Sequence, residues 1–489
     1  MKIKRNIEKN IKLIKQRLGN SSDIIDRKIN FLGNEITYVY LESVGNDDKI
    51  SNYFMSTISS YNKDKIKSTD IFELLKNNIP NSHLNLLTTF EEIFYQLSSG
   101  YTCIFIENEK KCLAIETKGD LDRGIEESSS ESIIRGPKDS FTENNSTNIG
   151  LIRKRIKDPN LWFEEQIIGR RTKSKVTLVY ITDIVNLEIV NNIKNKLKNI
   201  DIDGIIDSGY IRELISVEQK SIFPRFKSTD RPDLVCTSLL DGKIIIMVEN
   251  TPFVLITPSF LMDFIHTPED YYQKSFNVTF TRILRLISLF ITILTPGFYI
   301  ALTTFNQEII PNKLLISLAV QREGVPFSTS MAIVLMILCF EILRECDIRT
   351  PNSMGTAVSI VGALILGDAA VSAGIVSPIV IIIIAITSIS GLLFTDIDFI
   401  NALRVWRFFF IILSALLGLV GFVLAGILFT IHLCELETNG IPYLTPFSPI
   451  YFKAQKDVIL RFPRNKLTTR PEYLAKKNLV RMRVNDEKN

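Results

Sequence analysis

The chain is 489 residues long and 55.6 kDa, room for about three domains at ~150 residues each. Its 46% apolar content, 22% charged content and net charge of +4 average over unlike blocks: residues 1–282 carry 39 basic and 39 acidic side chains, residues 283–433 carry 7 and 8, and residues 434–489 carry 11 and 6. A middle block with about one charge in ten residues excludes a wholly soluble chain, and the near-neutral balance excludes a strongly basic nucleic-acid binder.

Residues 1–30 form a basic N-terminal segment whose periodicity predicts a helix around Ile7–Leu18. Charge persists through Arg17 and leaves no apolar core of signal-peptide length, so the N-terminal region is expected to stay cytoplasmic. A first soluble α/β subdomain is expected over 31–134, with a strand at 36–42 and helices near 48–60, 69–78 and 88–98. A hairpin of 101–106 and 112–117 follows, in which Cys103 faces Ala114 or Ile115 rather than Cys112; all six cysteines are expected to be reduced. Polar residues 119–147 read as a loop region.

A second soluble α/β subdomain is expected over 135–265. It takes a helix at 150–158, a strand at 175–182, an amphipathic helix at 187–199 and short strands at 205–206, 243–248 and 253–256. This alternation favours mixed sheets covered by helices. Thr267-Pro268-Glu269-Asp270 is a helix start, with a hydroxyl at the cap, proline in the first turn and carboxylates against the dipole. A helix over Pro268–Thr295 is expected to connect the soluble part to a membrane domain at 266–433.

Apolar segments lie at 286–305, 327–343, 356–375, 377–394 and 408–433, and a span needs ~20 such residues. The basic tail at 434–489 and Lys274, Arg282 and Arg285 put both ends on the cytoplasmic side, which requires an even number of spans. Four spans plus one re-entrant segment, the Gly-rich 356–375, fit this count, and six crossings stay open if Pro311–Val320 contributes. Ionisable residues inside such a block mark a pathway or a structural pair. Glu341 and Asp368, with Asp396 and Asp398 at an outer mouth, are candidates for an ion pathway, and Gly362, Gly367 and Gly374 for its constriction. The bland alternatives are a Glu341–Arg344 pair on one helix face and a backbone hydrogen bond for Asp368. Arg344, Pro268, Glu269, Asp270 and Pro326 are candidates for coupling; Arg135, Lys138, Arg153 and Arg155 are candidates for docking an anionic partner surface. Three scattered histidines and the absence of Cys-x-x-Cys, phosphate-loop and nucleophile-elbow motifs point to no enzyme, cofactor or metal.

Long ordered motifs carry a resemblance. They include Arg135-Gly136-Pro137-Lys138, Asn148 through Ile156, Asp207-Ser208-Gly209-Tyr210-Ile211, Thr229-Asp230-Arg231-Pro232-Asp233 and Pro268-Glu269-Asp270-Tyr271-Tyr272. In the apolar block are Arg322-Glu323-Gly324-Val325-Pro326-Phe327, Glu341-Ile342-Leu343-Arg344-Glu345 and Ala373-Gly374-Ile375-Val376-Ser377-Pro378, followed by Pro442-Tyr443-Leu444-Thr445-Pro446. Over about residues 30–465 the chain resembles the A subunits of the GerA-type germinant receptors of endospore-forming bacteria. The resemblance implies two cytoplasmic mixed α/β subdomains and a polytopic helical membrane domain in the spore inner membrane. It also implies a transporter-like B subunit and a C-subunit lipoprotein as partners, and oligomerisation into a nutrient-gated ion channel. A non-conducting scaffold is the alternative, and a secondary transporter a remote one, since no inverted repeat shows in 286–433. Two departures stand out. Asn250 occupies a turn position where the family commonly has Gly, and Asp368 stands where many relatives carry Glu or Gln.

Overall fold

The computed structural model describes residues 1–60, 71–81, 83–119, 135–216, 221–349, 362 and 365–482. Two units emerge, the first Met1–Lys220, Phe226–Ser259 and Pro463–Asn489, the second Ser221–Arg225 and Phe260–Phe462.

The first unit begins with α1 (Ile7–Arg17), whose start is fixed by Asn6 accepting from the Lys9 amide. Its Ile7, Ile11 and Ile14 recur at helical spacing and are buried together with Leu18. The sheet behind it has the order β1 (Ile24–Phe31), β2 (Asn34–Leu41), β4 (Tyr101–Ile106), β5 (Cys112–Glu116), β3 (Leu84–Leu87). Its inner strands are largely apolar because both faces of the sheet are covered. Val39, Cys103 and Phe105 pack under α1 and α2 (Phe90–Ser98), while Tyr38, Ile104 and Ile106 pack with Phe54, Phe72 and Leu75. Cys103 pairs with Ala114 in the β4–β5 register, as the turn position requires, and all six cysteines are free thiols.

A second lobe repeats the plan. A helix, α3 (Asn145–Arg155), precedes a sheet of order β6 (Leu161–Ile168), β7 (Ser174–Ile181), β9 (Ile244–Val248), β10 (Val254–Thr257), β8 (Lys227–Thr229). Counted within each lobe, the two strand orders are identical. Every pair in both sheets is antiparallel, so the mixed sheets expected from the alternation are corrected. The reason is that half of the sheet neighbours, β1–β2, β4–β5, β6–β7 and β9–β10, are joined by short turns, which parallel crossovers cannot use. Residues 205–206 lie outside the strands, and the loop region at 119–147 is partly beyond the described residues, its last three residues being helical. Asn250 adopts φ 67°, the left-handed conformation that its family-position glycine would take.

Residues 434–489, expected to be a tail, divide. Up to Phe462 they belong to the second unit, and beyond it to the first, where Leu474 and Ala475 are buried and Ala475 joins the core of the second lobe.

The second unit is helical. Thr267-Pro268-Glu269-Asp270 does open an element, but it is a 3-10 turn, Pro268–Tyr271, and a separate helix, α4 (Ser275–Thr304), follows. The expected continuous helix is broken because Asp270 is turned inward as a buried acceptor for two arginines. Then come α5 (Asn312–Arg322), α6 (Thr329–Arg349), helical residues 365–372, α7 (Pro378–Gly391) and α8 (Ile397–Glu435).

Helix α8 is not straight. Gly418 interrupts it at φ 62°, ψ −138°, a region open only to glycine. Trp406 lies 5.0 Å from Phe429 and 5.3 Å from His432, ring to ring, where a straight helix would separate residues 23 apart by about 35 Å. The chain therefore doubles back. The arms press together until a Cβ on Gly421 would lie 2.0 Å from the Leu413 carbonyl oxygen, and Asn306 Oδ1 accepts the Leu419 amide that the break releases. The single span expected over 408–433 is corrected to two antiparallel arms, 397–417 and 419–435.

Candidate functional site

Two polar centres lie within the second unit. One gathers around Asp270, buried at 2% exposure. Its Oδ2 accepts from Arg282 Nε and Arg285 Nη1, and its Oδ1 from Arg285 Nη2 and the Thr267 hydroxyl, all at 3.0–3.1 Å. Arg282 Nη1 continues to Asp457 Oδ1 at 2.9 Å, and Tyr271 donates to Asp457 Oδ2 at 3.0 Å. Burial alone would raise the Asp270 carboxyl, but Arg285 and Arg282 outweigh it and hold it below the usual range. His266 sits beside them. Burial, then Arg282, push its pKa down to about 4, so the neutral ring donates through Nε2 to the Val458 carbonyl at 2.7 Å. Asp270 thus anchors one lock, with Pro268 buried and Glu269 half-buried in the same turn.

The other centre is Glu341. Its Oε1 lies 2.6 Å from Arg407 Nη2 and its Oε2 3.0 Å from Arg404 Nε. The pair runs between α6 and α8 and not to Arg344 on its own helix, although Arg344 lies within electrostatic reach of all three. Arg407 is 4% exposed. The structure brings Glu341 of α6 beside Arg404 and Arg407, eight and eleven residues beyond the Asp396 that caps α8. Sequence reasoning missed Arg404 and Arg407; the signal was their position at the edge of the apolar run.

The remaining candidates scatter. Asp368 is exposed on helical residues 365–372. Asp396 caps α8 by accepting from the Phe399 amide at 2.8 Å, and Asp398 is half-buried in the first turn. A Cβ on Gly362 would meet Leu343 Cδ2 at 3.1 Å; one on Gly367 would meet Ile381 at 3.7 Å; Gly374 takes φ 67° in the turn before α7. Pro326 is exposed ahead of α6. In the first unit, Arg153 is buried and pairs with Asp23, and Arg155 pairs with Asp139. Arg153 therefore has no surface to offer a partner, which corrects its expected role; Arg135 and Lys138 are exposed.

Between the two lobes of the first unit is a cleft of about 450 Å³, lined by Asp23 and Glu42 on one side and Glu143, Glu165, Glu249 and Lys175 on the other. Among the described residues no group of three His, Cys, Asp or Glu side chains is arranged to hold a metal ion.

Residues 12–473 match the family described as Bacillus/Clostridium GerA spore germination protein. The chain belongs to the GerA spore germination family. It is 38% identical to spore germination protein KA of Bacillus subtilis (strain 168) over 97% of this chain and 88% of that one. It is 35% identical to spore germination protein GerLA of Bacillus cereus over 98% and 97%, and 34% identical to the uncharacterized membrane protein YfkQ of Bacillus subtilis (strain 168) over 97% and 92%. The crystal structure of the N-terminal domain of the A subunit of the Bacillus megaterium spore germinant receptor GerK3 is similar at 32% identity and a TM-score of 0.43, covering 53% of this chain and 98% of that one. Membership in the GerA family supports a germinant-receptor subunit role and adds no catalytic group to those described above.

Proposed function

We propose that this GerA-family chain is the membrane-embedded subunit of a nutrient receptor that triggers spore germination, and that copies of it assemble into a nutrient-gated cation channel. Among the described residues, two helices, α4 and α8, are long and apolar enough to cross a bilayer by length and composition. Their outward side chains form an apolar belt, with Phe276 85%, Phe280 65%, Leu416 67% and Val420 73% exposed. In this reading α4, α6, α7 and the two arms of α8 cross the bilayer, and the apolar segment 356–375, which lies partly outside the described residues, supplies a sixth crossing by its composition. An even number keeps both ends on one side, the cytoplasmic one by the charge of residues 434–489.

The observation that carries the channel reading is Asp368. It is the one charge between Pro351 and Thr395, and its carboxylate is exposed in the single chain. Such a group in a membrane needs cover or water, which neighbouring copies lining a pathway would supply. Glu341 does not share this role, being neutralised by Arg404 and Arg407. The partners in this reading are a transporter-like B subunit and a C-subunit lipoprotein, and the site is the spore inner membrane. Reconstitution with those partners in vesicles tests it. Nutrient-dependent potassium flux is expected, and Asp368→Asn lowers it while Glu341→Gln leaves ion selectivity unchanged. Germination supported without any flux means a non-conducting relay.

A further inference from the structure

We propose that Arg344, Arg404 and Arg407 form a binding site for the phosphate of an anionic phospholipid. The inference rests on the reading that the second unit crosses a membrane. On α6, residues 329–340 are uncharged and charge begins at Glu341; on α8, charge ends at Arg407 and residues 408–431 are uncharged. The Glu341–Arg407 pair at 2.6 Å brings these two transitions to one level. That level is where a lipid headgroup sits, since each helix leaves hydrocarbon there.

Two guanidiniums contact the one carboxylate and the Arg344 guanidinium feels the charge of all three groups, an excess of two positive charges. Both Glu341 oxygens are already engaged, one by Arg404 and one by Arg407. Arg407 is 95% buried on its side chain, and its Nε has no acceptor among the described residues. A buried donor left without an acceptor is costly, and a phosphate oxygen satisfies it with a charge-assisted bond. Arg404 keeps 25% exposure, which leaves an approach from outside. Apolar residues then continue from the cluster along both helices: Ile342 is 63% and Leu338 48% exposed on α6, Val405 48% and Ile412 55% on α8. Cationic head and apolar bed together fit a lipid better than a soluble anion or an acidic protein surface.

The test uses the full chain purified in neutral detergent, with thermal unfolding read against added phosphatidylglycerol, phosphatidylcholine or soluble glycerol phosphate. Phosphatidylglycerol alone is expected to raise the unfolding temperature. Its half-maximal concentration rises about fivefold in Arg404→Gln or Arg344→Gln. It falls in Glu341→Gln, which removes the internal competitor; a merely structural ion pair predicts loss of stability in that variant with no change in lipid preference. Equal stabilisation by phosphatidylcholine, or unchanged preference in all three variants, overturns the proposal. So does glycerol phosphate acting as well as the lipid, which makes the site one for a soluble anion. Carbonate washing of membranes separates the two readings: release of the chain overturns the membrane reading, whereas retention without phosphatidylglycerol preference overturns the lipid site alone.

Discussion

Asp23 and Arg153, 130 positions apart, meet in a two-point ion pair between the lobes of the first unit, Nε to Oδ2 at 2.7 Å and Nη2 to Oδ1 at 2.8 Å. Both side chains are almost fully buried, the guanidinium lies 4.6 Å over the Phe163 ring, and the Ser43 hydroxyl donates to Oδ2 at 2.6 Å. Removing either partner strands a buried charge. Asp23→Ala or Arg153→Ala is expected to cost about 3–5 kcal/mol, read by thermal unfolding of the full chain. The double variant Asp23→Leu with Arg153→Met is expected to recover most of the loss, because desolvation of the pair offsets much of its attraction. If the double variant is as unstable as the singles, the pair has a role beyond charge balance.

The doubled α8 makes a topological prediction. Ile397→Cys and Glu435→Cys are expected to react with an impermeant thiol reagent from the same face of sealed vesicles, in a background where Cys346 and Cys434 are Ser. A straight helix of 39 residues would put them on opposite faces. Gly418→Ala tests the turn itself. Its φ of 62° disfavours any Cβ, and Phe305 Cβ lies 2.6 Å from where that atom would be. The variant is expected to lose at least 1–3 kcal/mol and the same-face labelling pattern with it.

Legibility followed locality. The 101–116 hairpin was readable because alternation and a polar turn set its register within one short stretch. Strands β1 and β6 were not, since both are sheet edges and carry Asp26, Arg27 and Lys28, or Glu164, Glu165 and Gln166, in place of an apolar run. The turn at Gly418 is hidden because the residues on both sides are equally apolar, so no change of composition marks the reversal. Glu341 was recognisable as a buried charge from its apolar neighbours, but its partners lie 63 and 66 residues away, and only packing of α6 on α8 selects them over Arg344.

His266 predicts a pH dependence. In the fold the ring is neutral with a pKa of about 4, against about 6.5 when unfolded. Between those values the unfolded chain binds the proton and the fold does not. Stability is therefore full above pH 6.5 and falls as the pH drops towards 4, by about 3 kcal/mol. Arg282, Asp270, Asp457 and the Val458 carbonyl face the ring. In His266→Gln the unfolding temperature is expected to depend less steeply on pH over that window. An identical slope in the variant assigns the acid sensitivity to other groups.

The last prediction concerns the segment after Phe462, which on charge alone reads as a solvated tail. Leu474 and Ala475 are 2% and 1% exposed, Arg470 Nε donates to the Leu240 carbonyl at 2.8 Å, and Arg481 pairs with Asp241. Burial and exposed charge make opposite forecasts here. Leu474→Ala is expected to cost about 2–5 kcal/mol, the range for a large core side chain removed. Lys476→Ala, which breaks an exposed pair with Glu188 at 2.7 Å, is expected to cost under about 1 kcal/mol. Hydrogen exchange checks both: amides of the Pro232–Leu240 helix, whose Val235 and Leu239 share a core with Ala475, should lose protection in Leu474→Ala and keep it in Lys476→Ala. Equal protection in the two variants would mean that the segment lies on the second lobe without supporting it.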